Sequence, residues 1–361
     1  MFQETVYSDR VKKLKQKLNP NTLYLFSNPS HISYFTGFQF LVPNEREAFF
    51  ICGSKTAALI HTSFAPLCNS DFLTYFSGTF PAQLQFHFED LVKKTNAQTL
   101  FYDPTTLFVA ELDSISKVSN LRAKPMEQNP ANELLKQKDT NEISAIKKAC
   151  KITARVLKEV QLDLQKGMTE LDVADLIETA FKKNGVKQLA FPTIVGFAAN
   201  SALPHHQPNN KKLENDTVVL IDIGAKLNNY CADMTRTFWF GPNPSPQFKK
   251  IETIVRDAQN AALVQFGEHH KRTVLAKDID NAARIHISNQ GYGDNFIHTT
   301  GHGLGLDIHE APSLSWRNSE PITANMTITV EPGIYLEDNF GYRYEDTILT
   351  TATGYEILTT V

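Results

Sequence analysis

Apolar and polar residues follow two spacings along this chain. Short apolar runs bounded by turn residues read as strands: TLYLF (22–26), AFFIC (48–52), TAALIH (56–61) and TLFYD (99–103). AFFIC and TAALIH flank Gly53-Ser54-Lys55 and predict a hairpin. Three- and four-residue apolar spacing predicts a helix in LQFHFEDLVKK (84–94), and Pro104 is expected to open another at its first turn. The basic run RVKKLKQKL (10–18) reads as the solvated face of an N-terminal helix. The first third is therefore expected to be an α/β domain.

RAKPMEQNPANE (122–133) has two prolines and few apolar residues, which places a domain boundary near residue 128. The expected domains are 1–128 and 129–361. A long helical pattern follows from about Asp139 to Lys166, where Gly167 stops it. TELDVADLIETAFKKNG (169–185) and LAKDIDNAARIHISNQG (275–291) then match at an offset of 106 residues: Asp172 with Asp278, Val173 with Ile279, Gly185 with Gly291. Each reads as a capped amphipathic helix closed by glycine and followed by strand-like sequence carrying carboxylates. The second domain thus reads as two similar halves facing each other around a site.

One strand pattern contains an anomaly. TVVLIDIG (217–224) is apolar except for Asp222, and a buried lone carboxylate costs several kcal/mol unless compensated. With Leu227-Asn228 as a two-residue hairpin loop, Asp222 would face Asp233 across two antiparallel strands. A loop at Asn228-Asn229 would offset the pair by two residues. Facing carboxylates repel, so such a pair in an apolar sheet needs a cation. The pattern recurs downstream. NMTITVEPGIYL (325–336) reads as a strand carrying Glu331, and FGYRYEDTIL (340–349) returns with Glu345 on the same face as Arg343.

Between these pairs lies HTTGHGLGLDIHE (298–310), with His298, His302 and His309. Its glycines let a backbone or ligand approach His302 closely. A phosphate-binding GxGxxG loop fits poorly, because position 306 is leucine and Pro312 interrupts any following helix. Asp222, Asp233, Glu331 and Glu345 carry four negative charges, which two divalent cations balance. Carboxylates with one imidazole suit Mn²⁺, Fe²⁺, Co²⁺ or Zn²⁺. The residues alone point to a two-metal hydrolase of peptides or phosphate esters.

With these motifs in place the sequence resembles the pita-bread metallopeptidases that cleave Xaa-Pro bonds, the aminopeptidase P and prolidase group. NPSHISYFTGF (28–38) resembles the creatinase-type N-terminal domain. LPHHQP, DIGAKLNNYCADMTRTF, HTTGHGLGLDIHE, TVEPGIY and YRYED follow in the family's order over nearly the whole chain. The resemblance implies a creatinase-type α/β domain followed by an α+β pita-bread catalytic domain with an internal pseudo-twofold repeat. It implies metal ligation by Asp222, Asp233, His302, Glu331 and Glu345, with Asp233 and Glu345 bridging two ions, most simply Mn²⁺. Glu331 would also shuttle the proton. His205 and His309 would hold substrate and stabilise the oxyanion; His205 rather than His206 follows from the family's spacing to Asp222. His298, Arg343 and Tyr335 would bind or steady substrate. The expected substrates are proline-containing dipeptides or short peptides, and the expected assembly is a homodimer.

The remaining sequence features narrow the class. The chain has 361 residues, 42% hydrophobic and 21% charged, with net charge −3, so neither nucleic acid nor an anionic membrane is an expected partner. Cys52, Cys68, Cys150 and Cys231 form no CxxC pair, which disfavours a zinc-thiolate site and a disulfide scaffold. MFQETVYSDR reads as lacking an apolar signal core, and the cytoplasm is the expected compartment. Competing readings are a strict Xaa-Pro dipeptidase, a metal-free creatinase-like enzyme or inactive binding module, and a two-metal phosphoesterase.

Overall fold

The computed structural model describes residues 4–42, 45–62, 70–78 and 84–360. They divide into two compact units, Met1–Leu134 and Leu135–Val361. In the first, strands β1 (Thr22–Phe26), β2 (Ala48–Cys52), β3 (Ala57–Thr62), β4 (Thr74–Gly78), β5 (Thr99–Tyr102) and β6 (Arg122–Pro125) form one sheet in the order β4-β3-β2-β1-β5-β6. The β2–β3 hairpin forms across the expected turn, with Cys52 opposite Ala57. The sheet's apolar runs are continuous because side chains on both faces are buried. Leu23, Leu25, Phe49 and Ile51 pack with Phe88, Leu91 and Ile115, whereas Phe50 stacks with both Phe26 and Phe35.

Helices α1 (Glu4–Lys17), α2 (Pro29–Thr36), α3 (Leu84–Thr95) and α4 (Val109–Ser116) belong to this unit, and α5 (Pro130–Lys136) spans its end. Two expectations need correction. Pro104 starts a turn rather than a helix; α4 begins at Val109, where the Glu111 carboxylate accepts the Phe108 N–H at 2.9 Å. Within the basic run, Arg10 is buried, lying 4.0 Å over the Tyr34 ring and donating to the Tyr34 carbonyl at 3.0 Å. Cys52, Cys150 and Cys231 are buried free thiols; Cys68 lies outside the described residues.

The second unit is built from two runs of the same elements. α6 (Thr140–Asp163) and α7 (Glu170–Lys183) recur as α8 (Pro246–Glu268) and α9 (Ala276–Asn289), both starting 106 residues later. Asp172 and Asp278 occupy the same place in capping boxes, accepting the N–H of Thr169 at 2.8 Å and of Leu275 at 2.9 Å. In the first half, β7 (Gln188–Leu189), β8 (Ile194–Phe197), β9 (Thr217–Ile223), β10 (Ala225–Leu227), β11 (Tyr230–Cys231) and β12 (Met234–Phe240) form sheets ordered β12-β9-β8 and β11-β10-β7. The second half has β13 (Gly301–Gly303), β14 (Glu310–Leu314), β15 (Thr327–Val330), β16 (Gly333–Leu336), β17 (Phe340–Arg343), β18 (Asp346–Thr351) and β19 (Gly354–Ile357). Their sheets run β14-β13-β15-β18-β19 and β16-β17. Val255, Ala258, Ile279 and Ala283 of the helices pack against Ile328, Val330 and Ile348 of the second half's strands.

Each half centres on a long hairpin whose pairing is interrupted. In the first, Ile223 pairs with Met234 below the interruption and Lys226 with Cys231 above it. The loop is Asn228-Asn229, both with left-handed backbone at φ 51° and 71°, a conformation asparagine tolerates better than most residues. The register therefore differs from the one expected for a Leu227-Asn228 loop. Asp222 pairs with Thr235, not Asp233, and Asp233 falls opposite Gly224 in the interruption.

The second hairpin corrects the single-strand reading of 325–336. Val330 pairs with Asp346, and Gly333 with Arg343, in one unbroken register. Glu331 and Glu345 consequently face each other in the gap rather than within strands. Pro332 lacks an N–H and cannot continue the ladder. Tyr344 N–H still reaches the Pro332 carbonyl at 3.4 Å.

Candidate metal centre and active site

The two interruptions open into one cavity of about 410 Å³ in the second unit. Asp222, Asp233, His298, His302, Glu331, Arg343 and Glu345 line it with His205 and His309; Phe191, Ile194 and Ile308 form apolar wall. Tyr335 stands behind this lining. All the side chains picked out from the sequence thus lie in or directly against one chamber.

Polar partners set the carboxylates in two classes. Asp222 accepts from Arg343 Nη2 at 2.7 Å, and Glu331 Oε1 lies 3.3 Å from His302 Nε2. Among the described residues Asp233 has only His302 Nε2, at 3.6 Å, while Glu345 Oε2 accepts from the Thr235 hydroxyl at 2.7 Å. Asp222 Oδ1, Asp233 Oδ1 and Glu345 Oε1 are buried without a hydrogen-bond partner. Such oxygens lose their hydration without compensation.

Titration behaviour follows this arrangement. Burial, reinforced by neighbouring carboxylates, pushes Asp233 and Glu345 well above the ordinary carboxylate range. Burial also raises Asp222, against the pull of Arg343. For Glu331 burial acts upward, but the hydrogen bond and charge of His302 prevail and hold it at about 2. The same contact raises His302 against its burial.

This donor set fits divalent metal. His302 Nδ1 donates to the Gly303 carbonyl at 3.1 Å, which directs Nε2 at the carboxylates. One atom each from Asp233, His302 and Glu345 lies within 4.8 Å of the others. Three orphaned anionic oxygens beside an oriented imidazole are a hard, oxygen-rich site of the kind that suits Mn²⁺-like cations.

Behind the carboxylates runs a continuous chain of hydrogen bonds. Arg343 donates through Nε to Thr235 Oγ1 at 3.0 Å and through Nη1 to the Tyr335 hydroxyl at 2.8 Å. His298 Nδ1 donates to the Thr299 carbonyl at 2.8 Å, so Nε2 accepts the Tyr335 O–H, also at 2.8 Å. That requires a neutral ring, and burial lowers the His298 pKa accordingly. His309 stacks edge-on to His302 with ring centroids 4.4 Å apart, and its pKa is lowered by burial and then by the charges of His302 and His205.

The glycines around His302 serve close approach by the protein itself. A Cβ at Gly303 would strike the Ala311 carbonyl, and one at Gly305 would lie 2.6 Å from the Glu310 carboxylate. Glu310 in turn accepts from the buried Lys138 ammonium at 2.7 Å and from Asp307 N–H at 3.1 Å. These contacts pin the loop joining His302 to His309, and strands rather than a phosphate-binding helix flank it. Sequence reasoning missed Lys138, Glu310, Thr235 and the buried Glu170. None of them interrupts a hydrophobic pattern, the signal that exposed Asp222.

A duplicated fold converging on a carboxylate and imidazole chamber is the architecture of a metal-dependent hydrolase. The chain belongs to metallopeptidase family M24, whose pattern matches residues 144–352. An uncharacterized peptidase of Staphylococcus epidermidis is 34% identical over 358 residues, 97% of each chain. Among solved structures, an Xaa-Pro dipeptidase from Bacillus anthracis superposes with a TM-score of 0.86 at 26% identity, covering 99% of this chain and 98% of its own. An X-Pro aminopeptidase from Thermotoga maritima superposes with 0.82 at 31% identity, covering 97% and 98%. Among the described residues no helix is long and apolar enough to cross a membrane.

Proposed function

We propose that the protein hydrolyses the Xaa-Pro peptide bond with two divalent ions, most simply Mn²⁺, releasing the N-terminal residue from peptides with proline second. The observation carrying this reading is the set of orphaned oxygens on Asp222, Asp233 and Glu345 around His302 Nε2. The named activities of the Bacillus and Thermotoga proteins support the proline preference. When bound, the ions supply an activated water and polarise the scissile carbonyl.

The chain's own residues do the rest. Asp222, Asp233, His302, Glu331 and Glu345 would hold the ions. Glu331 takes the proton of the attacking water and delivers it to the proline nitrogen. His205 and His309 face the substrate and donate to the oxyanion. His298, Tyr335 and Arg343 orient the peptide and keep Asp222 in place. A proline amide offers no N–H, so a site gripping the ring and the N-terminus needs none. The cavity volume suits a short peptide. The homodimer carries over from the resemblance alone, and the cytoplasmic location from four cysteines that form no disulfide-type pattern.

The dipeptidase reading is favoured by the Bacillus neighbour, the aminopeptidase reading by the Thermotoga one. Manganese-loaded enzyme should release alanine from both Ala-Pro and Ala-Pro-Ala. Cleavage of the dipeptide alone would make it a strict dipeptidase, and cleavage of neither would refute the proline specificity.

A further inference from the structure

We propose that Glu170 is a positioning residue for His205. Glu170 is fully buried at the first position of α7, a place where an acidic side chain ordinarily faces solvent near the helix N-terminus. Its carboxylate instead gathers four donors from the segment between Phe197 and Asn209. Oε1 accepts Phe197 N–H at 2.8 Å and Asn200 Nδ2 at 2.9 Å; Oε2 accepts His206 Nε2 at 2.8 Å and Asn209 N–H at 3.1 Å.

These contacts bracket His205. The His205 side chain is exposed and lines the catalytic cavity, whereas the adjacent His206 is buried and held by Glu170. On the other side, the Pro204 carbonyl accepts from Arg343 Nη1 at 3.5 Å. The second half of the fold repeats the device one turn further along its helix. Buried Asp280 of α9 accepts Thr300 N–H at 3.0 Å and pairs with Arg284, which donates to the His298 carbonyl at 2.8 Å. In each half, then, a buried helix carboxylate fixes the segment bearing a histidine of the cavity.

A glutamine at position 170 offers one acceptor oxygen, so it cannot satisfy all four donors. The proposal rests on the substrate role given to His205 above, and a double-mutant cycle separates the two. Glu170→Gln, His205→Ala and the double variant are compared for Ala-Pro-Ala hydrolysis, bound manganese and amide hydrogen exchange. E170Q should lower kcat/KM by about 10- to 100-fold, the range a small misplacement of a catalytic group produces. It should leave manganese content unchanged and speed exchange in 197–209 but not in 217–240. The double variant should be no worse than H205A, because both changes act through one side chain. Losses that multiply would overturn the positioning proposal while leaving the role of His205 intact. Full activity in H205A would overturn that role and the proposal with it. Should E170Q not fold, His206→Gln replaces it in the cycle, and the same outcomes decide.

Discussion

The two interrupted hairpins of the second unit solve one problem with different chemistry. Each delivers two carboxylates to the chamber, one with a basic side chain at hydrogen-bonding distance and one without. Among the described residues, Asp222 in the first hairpin has Arg343 and Asp233 has no such partner at hydrogen-bonding distance; in the second Glu331 has His302 and Glu345 has only the Thr235 hydroxyl. The first hairpin sets Asp233 opposite a glycine, where no second carboxylate competes. The second sets its two glutamates face to face. What they teach is that the two carboxylates without a basic side chain at hydrogen-bonding distance, Asp233 and Glu345, come from equivalent positions in both halves.

Removing one of this pair should have the largest effect. Asp233→Asn or Glu345→Gln should abolish turnover in manganese-supplemented assays. Each also removes a repelling buried charge, so the chelator-treated variant should melt at or above the wild-type temperature. Near-normal turnover in either variant would erase the distinction between the two classes of carboxylate. Arg343→Met comes next. It strands Asp222, and breaking a buried pair costs about 3–5 kcal/mol; the lost support for a ligand should lower activity about 10- to 100-fold. Denaturant titration and steady-state kinetics check the two parts.

Thr235→Val tests the bridge between hairpins, because this hydroxyl accepts from Arg343 and donates to Glu345. Activity should fall about tenfold, and Thr235→Ser should restore it. The smallest effect is expected at the first hairpin's loop. Asn229→Ala forces alanine into left-handed backbone and should cost about 1 kcal/mol of stability. Asn229→Gly should cost less, and turnover of the loaded enzyme should be unchanged in both.

Much of the chamber was legible because its carboxylates break hydrophobic runs. Asp222 is the clearest case: strand β9 is buried along its length, so a charge there demanded a partner. The register was not legible. Asn228-Asn229 lacks the glycine that marks a two-residue turn, and the two possible loops differ by two residues in what faces Asp233. The gap at Glu331-Pro332 was hidden because TITVEPGIYL keeps its apolar pattern across the proline. Glu170 left no trace at all. As an acidic residue after Thr169 it looks like any first-turn helix residue, and only the tertiary fold reveals the four donors around it.

The account turns on why Asp233 and Glu345 lack a basic side chain at hydrogen-bonding distance. Calorimetric titration of metal-free protein with Mn²⁺, repeated on Asp233→Asn, tests it most directly. The wild type should take up two ions per chain and gain about 2.7 kcal/mol of stability per site at a free ion concentration one hundred times the dissociation constant. The variant should bind no more than one. Undiminished two-ion binding by Asp233→Asn, or no binding by the wild type, would contradict the account.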